Sequence, residues 1–578
     1  MPVTSPTVTP EHQAPSTGQA KAKMGLLERT VEAVERHSVW ALAGLLVLSG
    51  AVVMYMGRGL SFYYDEWEWL LHDYGGGIQL MLHDHAGNIS FFPAAIYKVL
   101  FRVVGFNHYA VFRLDVVILN LICGALIYVM AARRIPRVPA LLAAALILFL
   151  GSAWEDLLWG FQVGYLLSVA SGLATLALLE RSGRRNDIAA MLCLVVAAGS
   201  SSLGVPIMVG VGVELARQRR RAWIVLVPAA LYVLWYLSYG VSQITQNGVL
   251  DTPSYSTDLA ASAFGGLVGR GLEWGRPLAL VGLLAVVRHL TRPFAVSARL
   301  ASLLAAVLTL WIITGLARST LGAPESSRYI YLGAVLIVLI GVELLRGVTI
   351  TPRMSAIATP IVILCAFTSL TVMHTGALGL RTTSKTVIAQ LGALELARAY
   401  APPSYRPNPE KAPPVYAGLY LHAVRSIGSS PADTPAEILA SEPPARAAAD
   451  AVLLALEAPS LRPLGRARLS PLAPAPTITS LNQGTRSQQA ECVQLRPLAG
   501  GPMTSTLNVP SDGVVIRNEG SAPAALALRR FGASFDPLPD SAASHSENVL
   551  SLPADAAQIP WQLQLVSATR LSVCGLLA

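Results

Sequence analysis

The sequence predicts an α-helical polytopic membrane protein of about eleven transmembrane helices, followed by a C-terminal region of helices and a small β-sandwich. Hydrophobic residues make up 53% of the 578 residues and charged residues only 13%, which is far from the composition of soluble domains. The net charge of +9 comes from short basic clusters between apolar runs. That pattern is typical of membrane topology signals, and it argues against nucleic acid as a partner.

Eleven apolar runs define the predicted spans. Basic connections such as residues 133–137, 180–185 and 216–221 all fall on the side of the basic N-terminus. Because positive charge is retained on the cytoplasmic side, we expect a multi-pass plasma-membrane protein with a cytoplasmic N-terminus and an extracytoplasmic C-terminal domain. The runs near 188 and 203 are short enough to form a shallow hairpin. The eleven runs cover residues 39–57, 109–132, 138–153, 160–179, 188–200, 203–216, 222–239, 277–290, 299–317, 329–346 and 354–376.

The composition changes along the chain and predicts the domain boundaries. Residues 1–38 are expected to be a disordered and amphipathic cytoplasmic segment, and residues 39–376 a membrane domain with interfacial helices at 66–104. Residues 377–470 read as an extracytoplasmic helical linker region. Residues 471–578 contain short alternating segments such as GVVIRN and WQLQLV, which indicate a β-sandwich.

Two cysteines, Cys492 and Cys574, bracket this β region. In an oxidising compartment they would form a disulfide, and the alternative is a pair of buried thiols.

Two acidic pairs lie on the predicted outer face. Asp65 and Glu66 follow the first span, and Glu155 and Asp156 follow the third. No ATP is available on that side and no phosphate-binding P-loop motif occurs, so chemistry there needs a pre-activated donor. The alternative is structural, because acids also cap helices and end spans at membrane surfaces.

Four segments resemble the GT-C superfamily of membrane glycosyltransferases. They are YYDEWEWL, HDHAGNISFFPAAIYKVLFRVVGFNHY, SAWEDLLWGFQ and PESSRYIYLG. The resemblance implies a GT-C-like fold and an inverting enzyme that transfers a sugar from a polyprenyl-phosphate donor to a cell-envelope glycan or glycolipid. The first acidic pair is Asp-Glu where the superfamily has Asp-Asp. A bias toward Ala, Arg, Leu and Pro favours a high-GC bacterial source, such as an actinobacterium.

Within this resemblance Asp65 is the first choice for the catalytic base and Glu66 the second. Neighbouring residues at a helix start point about 100° apart, so only one of the two can face a cavity. Glu155 and Asp156 form the second acidic pair, and Arg328 begins a late span on the same predicted side. We expect these groups to converge on one donor cavity.

Five residues are predicted to bind the donor phosphate: Arg328, Tyr329, His83, His85 and Lys98. A guanidinium can grip a phosphate with two hydrogen bonds, although an arginine at a span end can also simply extend to the surface. In an extended segment His83 and His85 face one side, where they would bind a divalent metal, contact phosphate or acceptor, or remain plain interfacial residues. Lys98 contacts either lipid headgroups or the donor.

Trp159 and Gln162 are the predicted acceptor contacts, since sugar rings stack on tryptophan, and the alternative is an interfacial aromatic belt. The β-sandwich is expected to bind a glycan acceptor. The sequence identifies no certain cofactor and leaves a divalent metal as an open alternative, with the polyprenyl-phosphate sugar as the donor substrate. Two rival functions remain: a transporter or flippase of lipid-linked sugars, and a non-catalytic envelope assembly protein.

Overall fold

The computed structural model describes residues 29–71, 77–85, 87–216, 218–291, 296–464, 475–489, 491–499, 501–510, 513–553 and 557–575. They fold into two compact units. The predicted disordered tail of residues 1–24 lies outside the described residues. The first unit comprises Met1–Arg58, Gly77–Ile96 and Ala110–Ala377, and the second comprises Gly59–Gly76, Tyr97–Tyr109 and Leu378–Ala578.

Helices account for most of the chain up to residue 457. They are α1 Ser38–Met56, α2 Glu66–Leu71, α3 Ile78–Met81, α4 Phe91–Val104, α5 Tyr109–Ala131, α6 Arg137–Leu148, α7 Trp154–Leu158, α8 Val163–Leu179, α9 Arg184–Ser200, α10 Gly204–Leu215, α11 Trp223–Tyr239, α12 Gln246–Leu267, α13 Leu272–Leu290, α14 Ala298–Arg318, α15 Ile330–Leu344, α16 Pro352–Leu396, α17 Ala417–Ile427, α18 Pro435–Ala440 and α19 Pro443–Glu457. Short 3-10 helices occur at Gly151–Ala153, Gly160–Gln162, Arg219–Arg221, Ser319–Leu321 and Ser327–Tyr329.

Each of the eleven predicted apolar runs lies on helical structure. Among the described residues, seven helical stretches are long and apolar enough to cross a membrane, so the chain is a helical membrane protein. α10 and α11 are apolar but shorter, whereas α9 and α13 carry charged residues near their ends. The count of eleven spans therefore stays a prediction. The seven stretches are Ser38–Met56, Tyr109–Ala131, Arg137–Leu158, Gly160–Leu179, Ala298–Leu321, Ser327–Leu344 and Pro352–Leu396.

Helix α12, Gln246–Leu267, lies between the predicted spans at 222–239 and 277–290, in a stretch where the sequence predicts no span and only a connecting loop. Its first half is polar and contains Pro253, so neither hydropathy nor helix propensity marks it. The side chain of Thr245 caps it by accepting the N–H of Gly248 at 3.0 Å. Small residues let it pack closely, since a Cβ on Gly275 would lie 1.9 Å from the carbonyl oxygen of Ala261. Close packing, and not apolar surface, places this helix in the first unit.

Five charged side chains join the ends of five helices in the first unit, and we call them the buried charge network: Arg134, Glu180, Glu214, Arg299 and Glu343. Arg134 pairs with Glu343 and with Glu180, the latter at 2.7 Å. Arg299 pairs with Glu214 at 2.9 Å and with Glu180 at 3.4 Å. Burial of Glu180 disfavours its charged form. Hydrogen bonds from Arg134 and Arg133 outweigh this effect and hold the pKa of Glu180 below its usual value. Removal of one partner would leave a buried charge uncompensated.

In the second unit, α19 is tied to the β-structure by one carboxylate. Asp450 is fully buried. Its oxygens accept the backbone N–H groups of Arg530 at 2.9 Å, Phe531 at 2.9 Å and Gly532 at 2.8 Å. These bonds satisfy three N–H donors of the loop that follows strand β7, Ala525–Arg529. Helix α19 and this loop are therefore held in one arrangement.

The described residues after residue 459 form two antiparallel sheets, which confirms the β-structure predicted for residues 471–578. The first strand, β1 at Ser460–Pro463, begins before that boundary, in the region predicted to be a helical linker. One sheet has the order β1-β9-β6-β11-β4-β3 and the other β2-β5-β10-β7-β8. A disulfide between Cys492 and Cys574 links the adjacent strands β4 and β11. The strands are β1 Ser460–Pro463, β2 Ile478–Asn482, β3 Gly484–Gln489, β4 Cys492–Pro497, β5 Met503–Val509, β6 Val514–Asn518, β7 Ala525–Arg529, β8 Asp536–Pro537, β9 Ser546–Ser551, β10 Trp561–Ser567 and β11 Leu571–Gly575.

Candidate active site

The first acidic pair lies at the start of α2, in the second unit. Asp65 precedes the helix and Glu66 is its first residue. The preceding Tyr64 has a φ of 51°, a left-handed conformation that is strained for a side chain of this size. The N–H of Tyr63 donates to the Glu66 carboxylate at 2.8 Å, which closes the turn. The backbone around Asp65 is therefore fixed by its neighbours.

Glu66 is fully buried and held by tyrosines. The hydroxyl of Tyr97 donates to its carboxylate at 2.6 Å, and the hydroxyl of Tyr109 lies 3.1 Å from the other oxygen. With the N–H of Tyr63, the carboxylate has three donors within the protein. Asp65, by contrast, is partly exposed. The geometry thus distinguishes the two acids, with Glu66 buried and holding the turn and Asp65 partly exposed.

The second acidic pair, in α7 of the first unit, is divided in the same way. One oxygen of the Glu155 carboxylate accepts hydrogen bonds from the Ser327 hydroxyl at 2.7 Å and from the Arg328 N–H at 3.2 Å. Asp156 is fully buried, and neither of its carboxylate oxygens has a hydrogen-bond partner among the described residues. Glu155 caps the 3-10 helix at Ser327–Tyr329, whereas Asp156 is left with unused acceptor capacity.

Close packing against α16 positions the segment that carries this pair. The Ser369 hydroxyl accepts the N–H of Ser152 at 3.0 Å. A Cβ on Gly151 would lie 2.2 Å from the carbonyl oxygen of Ser369, and one on Gly376 would lie 2.4 Å from the Trp154 ring. Larger residues at Gly151 or Gly376 would push α7 away from α16.

A cavity and a groove lie side by side in the first unit. We call the first the polar cavity, because hydroxyl, amide and guanidinium groups stand on a wall that also contains apolar residues such as Leu203, Ile244 and Leu310. The polar groups come from Asn88, Tyr165, Ser202, Tyr232, Arg318 and Tyr329. The apolar groove is lined by Ile89, Phe91, Phe92, Leu231 and Trp235 and shares Tyr232 with the polar cavity. A cavity with polar groups beside an apolar groove suits an amphiphilic ligand.

Of the residues predicted to bind phosphate, two lie at the cavities of the first unit. Tyr329 lines the polar cavity, and Arg328 and Tyr329 together line a smaller adjoining one. The Arg328 guanidinium is 5.4 Å from the centre of the Tyr329 ring. Its Nε has no hydrogen-bond partner in the part of the chain that the structure describes. The Nε–H of Arg328 can therefore donate to a bound anion without first losing a hydrogen bond within the protein.

The predicted histidines differ from each other in exposure. His83 is exposed and its Nδ1 lies 3.0 Å from the carbonyl oxygen of Asp84, whereas His85 is buried in a tight turn with Asn88. Their ring centres are 6.3 Å apart. No three His, Cys, Asp or Glu side chains come together as a metal site among the described residues.

Lys98 belongs to the second unit and the histidines to the first. The two acidic pairs are divided between the units in the same way. A shared phosphate site for Lys98 and the histidines, and the convergence of the acids, stay predictions.

The predicted acceptor contacts are both buried. Trp159 is 2% exposed and stacks on Phe161 with ring centres 5.0 Å apart. Gln162 is also 2% exposed, and its side-chain oxygen has no hydrogen-bond partner among the described residues. The Trp159 ring is thus occupied by protein in this conformation, and an acceptor role for either residue stays a prediction.

Several residues of these sites escape sequence reasoning. Tyr97 and Tyr109 hold Glu66 but look like ordinary interfacial aromatics. Arg113 is 2% exposed, and its guanidinium donates to the carbonyls of Leu158 at 2.9 Å and Val53 at 3.0 Å. Its position inside an apolar run is the feature that could have marked Arg113 in the sequence. A charge within a span is costly unless it is paired, so such an arginine is expected to have partners in the protein.

Comparison with known proteins gives a distant likeness. No protein-family model matches the chain, and no curated protein does. The cryo-EM structure of the arabinosyltransferase EmbB from Mycobacterium smegmatis is similar over 93% of this chain, with 12% identity and a TM-score of 0.35. This chain spans 64% of the length of EmbB. The crystal structure of ArnT from Cupriavidus metallidurans, bound to undecaprenyl phosphate, is similar over 62% of this chain and 81% of its own, with 13% identity and a TM-score of 0.41.

Proposed function

We propose that this protein is an inverting membrane glycosyltransferase that moves a sugar from a polyprenyl-phosphate donor to a glycan or glycolipid of the cell envelope. The observation that carries the proposal is Asp156, which is fully buried and whose carboxylate oxygens have no hydrogen-bond partner among the described residues. Glu66 and Glu155, by contrast, are held by hydrogen bonds within the protein. A buried acid with unused hydrogen-bonding capacity marks a site for a ligand.

Asp65 acts in this proposal as the general base. It takes the proton of the acceptor hydroxyl while the hydroxyl oxygen bonds to the anomeric carbon of the donor sugar. The bond from that carbon to the phosphate breaks, and the phosphate leaves on its polyprenyl carrier. Attack opposite the leaving group inverts the anomeric centre. A positioned base of this kind contributes roughly 10²–10⁴-fold to the rate.

The donor is bound in this proposal by the polar cavity and the apolar groove. Arg318 and Arg328 neutralise the phosphate, which gains charge as the sugar leaves. The aromatic side chains of the groove, such as Phe91, Phe92 and Trp235, cover the first isoprene units. His83, His85 and Lys98 are further phosphate contacts in this proposal, and Gln162 is an acceptor contact.

The reaction takes place on the outer face of the plasma membrane in this proposal. The basic connections between the predicted spans favour a cytoplasmic N-terminus and an outer C-terminal region, and so support this location. The disulfide between Cys492 and Cys574 supports the outer location, because such bonds persist in oxidising compartments.

The acceptor is a neutral glycan that also binds the five-stranded sheet. Residues that lie opposite one another on neighbouring strands point to the same face of a sheet. On the outward face, Gln562 of β10 lies between Asn508 of β5 and Arg529 of β7. Arg529 donates to the Gln562 side chain at 2.8 Å, and its guanidinium lies 4.2 Å from the Phe535 ring centre. Amides and hydroxyls offer both donors and acceptors, which match the hydroxyls of a sugar. We call this surface the amide face: Ser480, Asn482, Thr504, Asn508, Arg529, Gln562 and Gln564.

Glycan binding by the amide face is tested on the full-length protein in detergent, with mannan, arabinan and dextran as probes. Joint replacement of Gln562 and Gln564 by alanine is expected to weaken binding of the preferred neutral glycan about tenfold or more, since several hydrogen bonds are lost. Gln494→Ala changes a matched amide on the other sheet, whose side chain donates to Gln489, and this variant should bind like the wild type. Failure of every neutral glycan to bind, or equal weakening by Gln494→Ala, removes the acceptor role of this face.

Transfer itself is measured with the protein in liposomes, a radiolabelled polyprenyl-phosphate sugar and a hydroxyl acceptor. A transferase releases polyprenyl phosphate and labels the acceptor, and this labelling requires Asp65. A flippase moves the intact donor across the bilayer without releasing it. Glu410→Gln, which changes an exposed acid of the same unit, serves as the control. If the wild type labels no acceptor with any lipid-linked sugar, the transferase assignment fails.

A further inference from the structure

The segment that carries Asp65 is built into the C-terminal half of the second unit by backbone hydrogen bonds. The N–H of Tyr64 donates to the carbonyl of Lys411 at 3.0 Å. The N–H of Ser61 donates to the Ser384 hydroxyl at 3.2 Å. Both acceptors lie more than 300 residues further along the chain. The turn at Asp65 therefore has no complete set of hydrogen bonds without the region after residue 377.

An aromatic cluster of four residues lies beneath this turn: Phe62, Trp67, Phe106 and Tyr420. All four side chains are at most 2% exposed. Tyr420, on α17, packs edge-on against Trp67 with ring centres 6.2 Å apart, and Phe62 meets Trp67 at 5.6 Å. Trp67 is two residues from Asp65, so its anchoring fixes the helix start from which Asp65 projects.

Tyr420 is itself held in one orientation. Its hydroxyl donates to the Glu395 carboxylate at 2.7 Å, and the Ser430 hydroxyl lies 3.1 Å away. Burial, with the charge of Glu395 beside it, raises the pKa of the Tyr420 hydroxyl well above its usual value, so it remains a donor at all physiological pH values.

Next to Tyr420 in space, the segment after α4 is fixed to the same C-terminal region. The N–H of Phe106 donates to the Ser429 hydroxyl at 3.1 Å. Gly105 has a φ of 62°, and a Cβ there would lie 2.5 Å from the Ser429 oxygen, so the approach requires glycine.

We propose that Tyr420 and Ser429 are positioning residues for the base Asp65. Helix α17 and the residues that directly follow it would then be needed for full activity. Tyr420 fixes Trp67 and Ser429 fixes Phe106, and both partners belong to the aromatic cluster under Asp65. The role rests on the proposed function of Asp65. A misplacement of about 1 Å at a reacting group lowers the rate on the order of 10²-fold.

The experiment compares Tyr420→Ala with Tyr420→Phe, which keeps the ring contacts and loses only the hydroxyl. Tyr420→Ala is expected to lower kcat about 10- to 100-fold with an unchanged KM for the donor. Hydrogen–deuterium exchange of residues 59–71 should rise in the same variant. Tyr420→Phe should restore kcat to within about threefold of the wild type and return exchange toward normal. Leu419→Ala, on the exposed side of the same helix, is the control and should match the wild type in both measurements.

Two results would overturn the inference. One is a folded Tyr420→Ala protein with wild-type kcat and wild-type exchange at residues 59–71. The other is an unchanged kcat in Ser429→Ala, which removes one hydrogen bond from the same region and should lower kcat several-fold. This second variant decides the question if the Tyr420→Ala protein does not accumulate. A wild type that transfers no sugar would instead defeat the proposed function, whereas these results leave the wild-type activity intact.

Discussion

Asp65→Asn is expected to lower kcat on the order of 10³-fold while leaving the thermal stability of the protein unchanged. Asparagine has nearly the same shape as aspartate but cannot take the acceptor proton. The side chain of Asp65 is partly exposed, so loss of its charge costs little folding free energy. The measurement is steady-state transfer from a polyprenyl-phosphate sugar, with thermal unfolding in detergent recorded on the same preparation. The KM for the donor should stay unchanged.

Glu66→Gln provides the contrast to Asp65→Asn. The Glu66 carboxylate accepts from two tyrosine hydroxyls and one backbone N–H, and an amide offers only one oxygen for these donors. We expect a loss of about 1–3 kcal/mol in the free energy of unfolding and a smaller loss of kcat than in Asp65→Asn. A Glu66→Gln protein of normal stability that is inactive, beside an active Asp65→Asn protein, would reverse the two assignments.

Asp156→Asn is expected to abolish most activity and to stabilise the protein. A fully buried carboxylate that lacks hydrogen bonds costs several kcal/mol unless a ligand or a charge compensates it. Removal of the charge should therefore raise the free energy of unfolding by about 1–3 kcal/mol, while transfer falls on the order of 10²-fold. Both quantities are measured on the same purified protein.

Glu155→Gln is the matched comparison for Asp156→Asn. Its carboxylate caps the 3-10 helix at Ser327–Tyr329, so the amide variant should lose stability where Asp156→Asn gains it. If Asp156→Asn is destabilised like Glu155→Gln, Asp156 has a structural partner and its proposed role in binding or catalysis is wrong.

The apolar helices and the β-structure could be predicted from local sequence. Long apolar runs report burial in a membrane regardless of what they pack against, and alternating segments report a half-buried strand. Helix α12 could not be predicted, because its packing depends on small residues such as Ala261 and Gly275 meeting across space. Hydropathy has no measure of how closely two helices approach.

The acidic pairs could be identified in the sequence. Which acid of each pair is held by hydrogen bonds within the protein could not be. Which acid is held depends on Tyr97 and Tyr109 for the first pair and on Ser327 for the second, and Ser327 lies 172 residues from Glu155. A residue number carries no information about such distant partners. Adjacent acids on a helix start can be separated only by geometry.

The buried charge network also sets an order of events during synthesis of the chain. Arg134 and Glu180 emerge early and can pair as soon as the segment between them is in the membrane. Glu214, Arg299 and Glu343 follow, so the second partner of Arg134 is made 209 residues after it. A nascent chain that ends before Glu343 leaves Arg134 with only one of its two carboxylate partners in the network. Assembly of the buried charge network is therefore complete only when the helix that ends at Leu344 has joined the others.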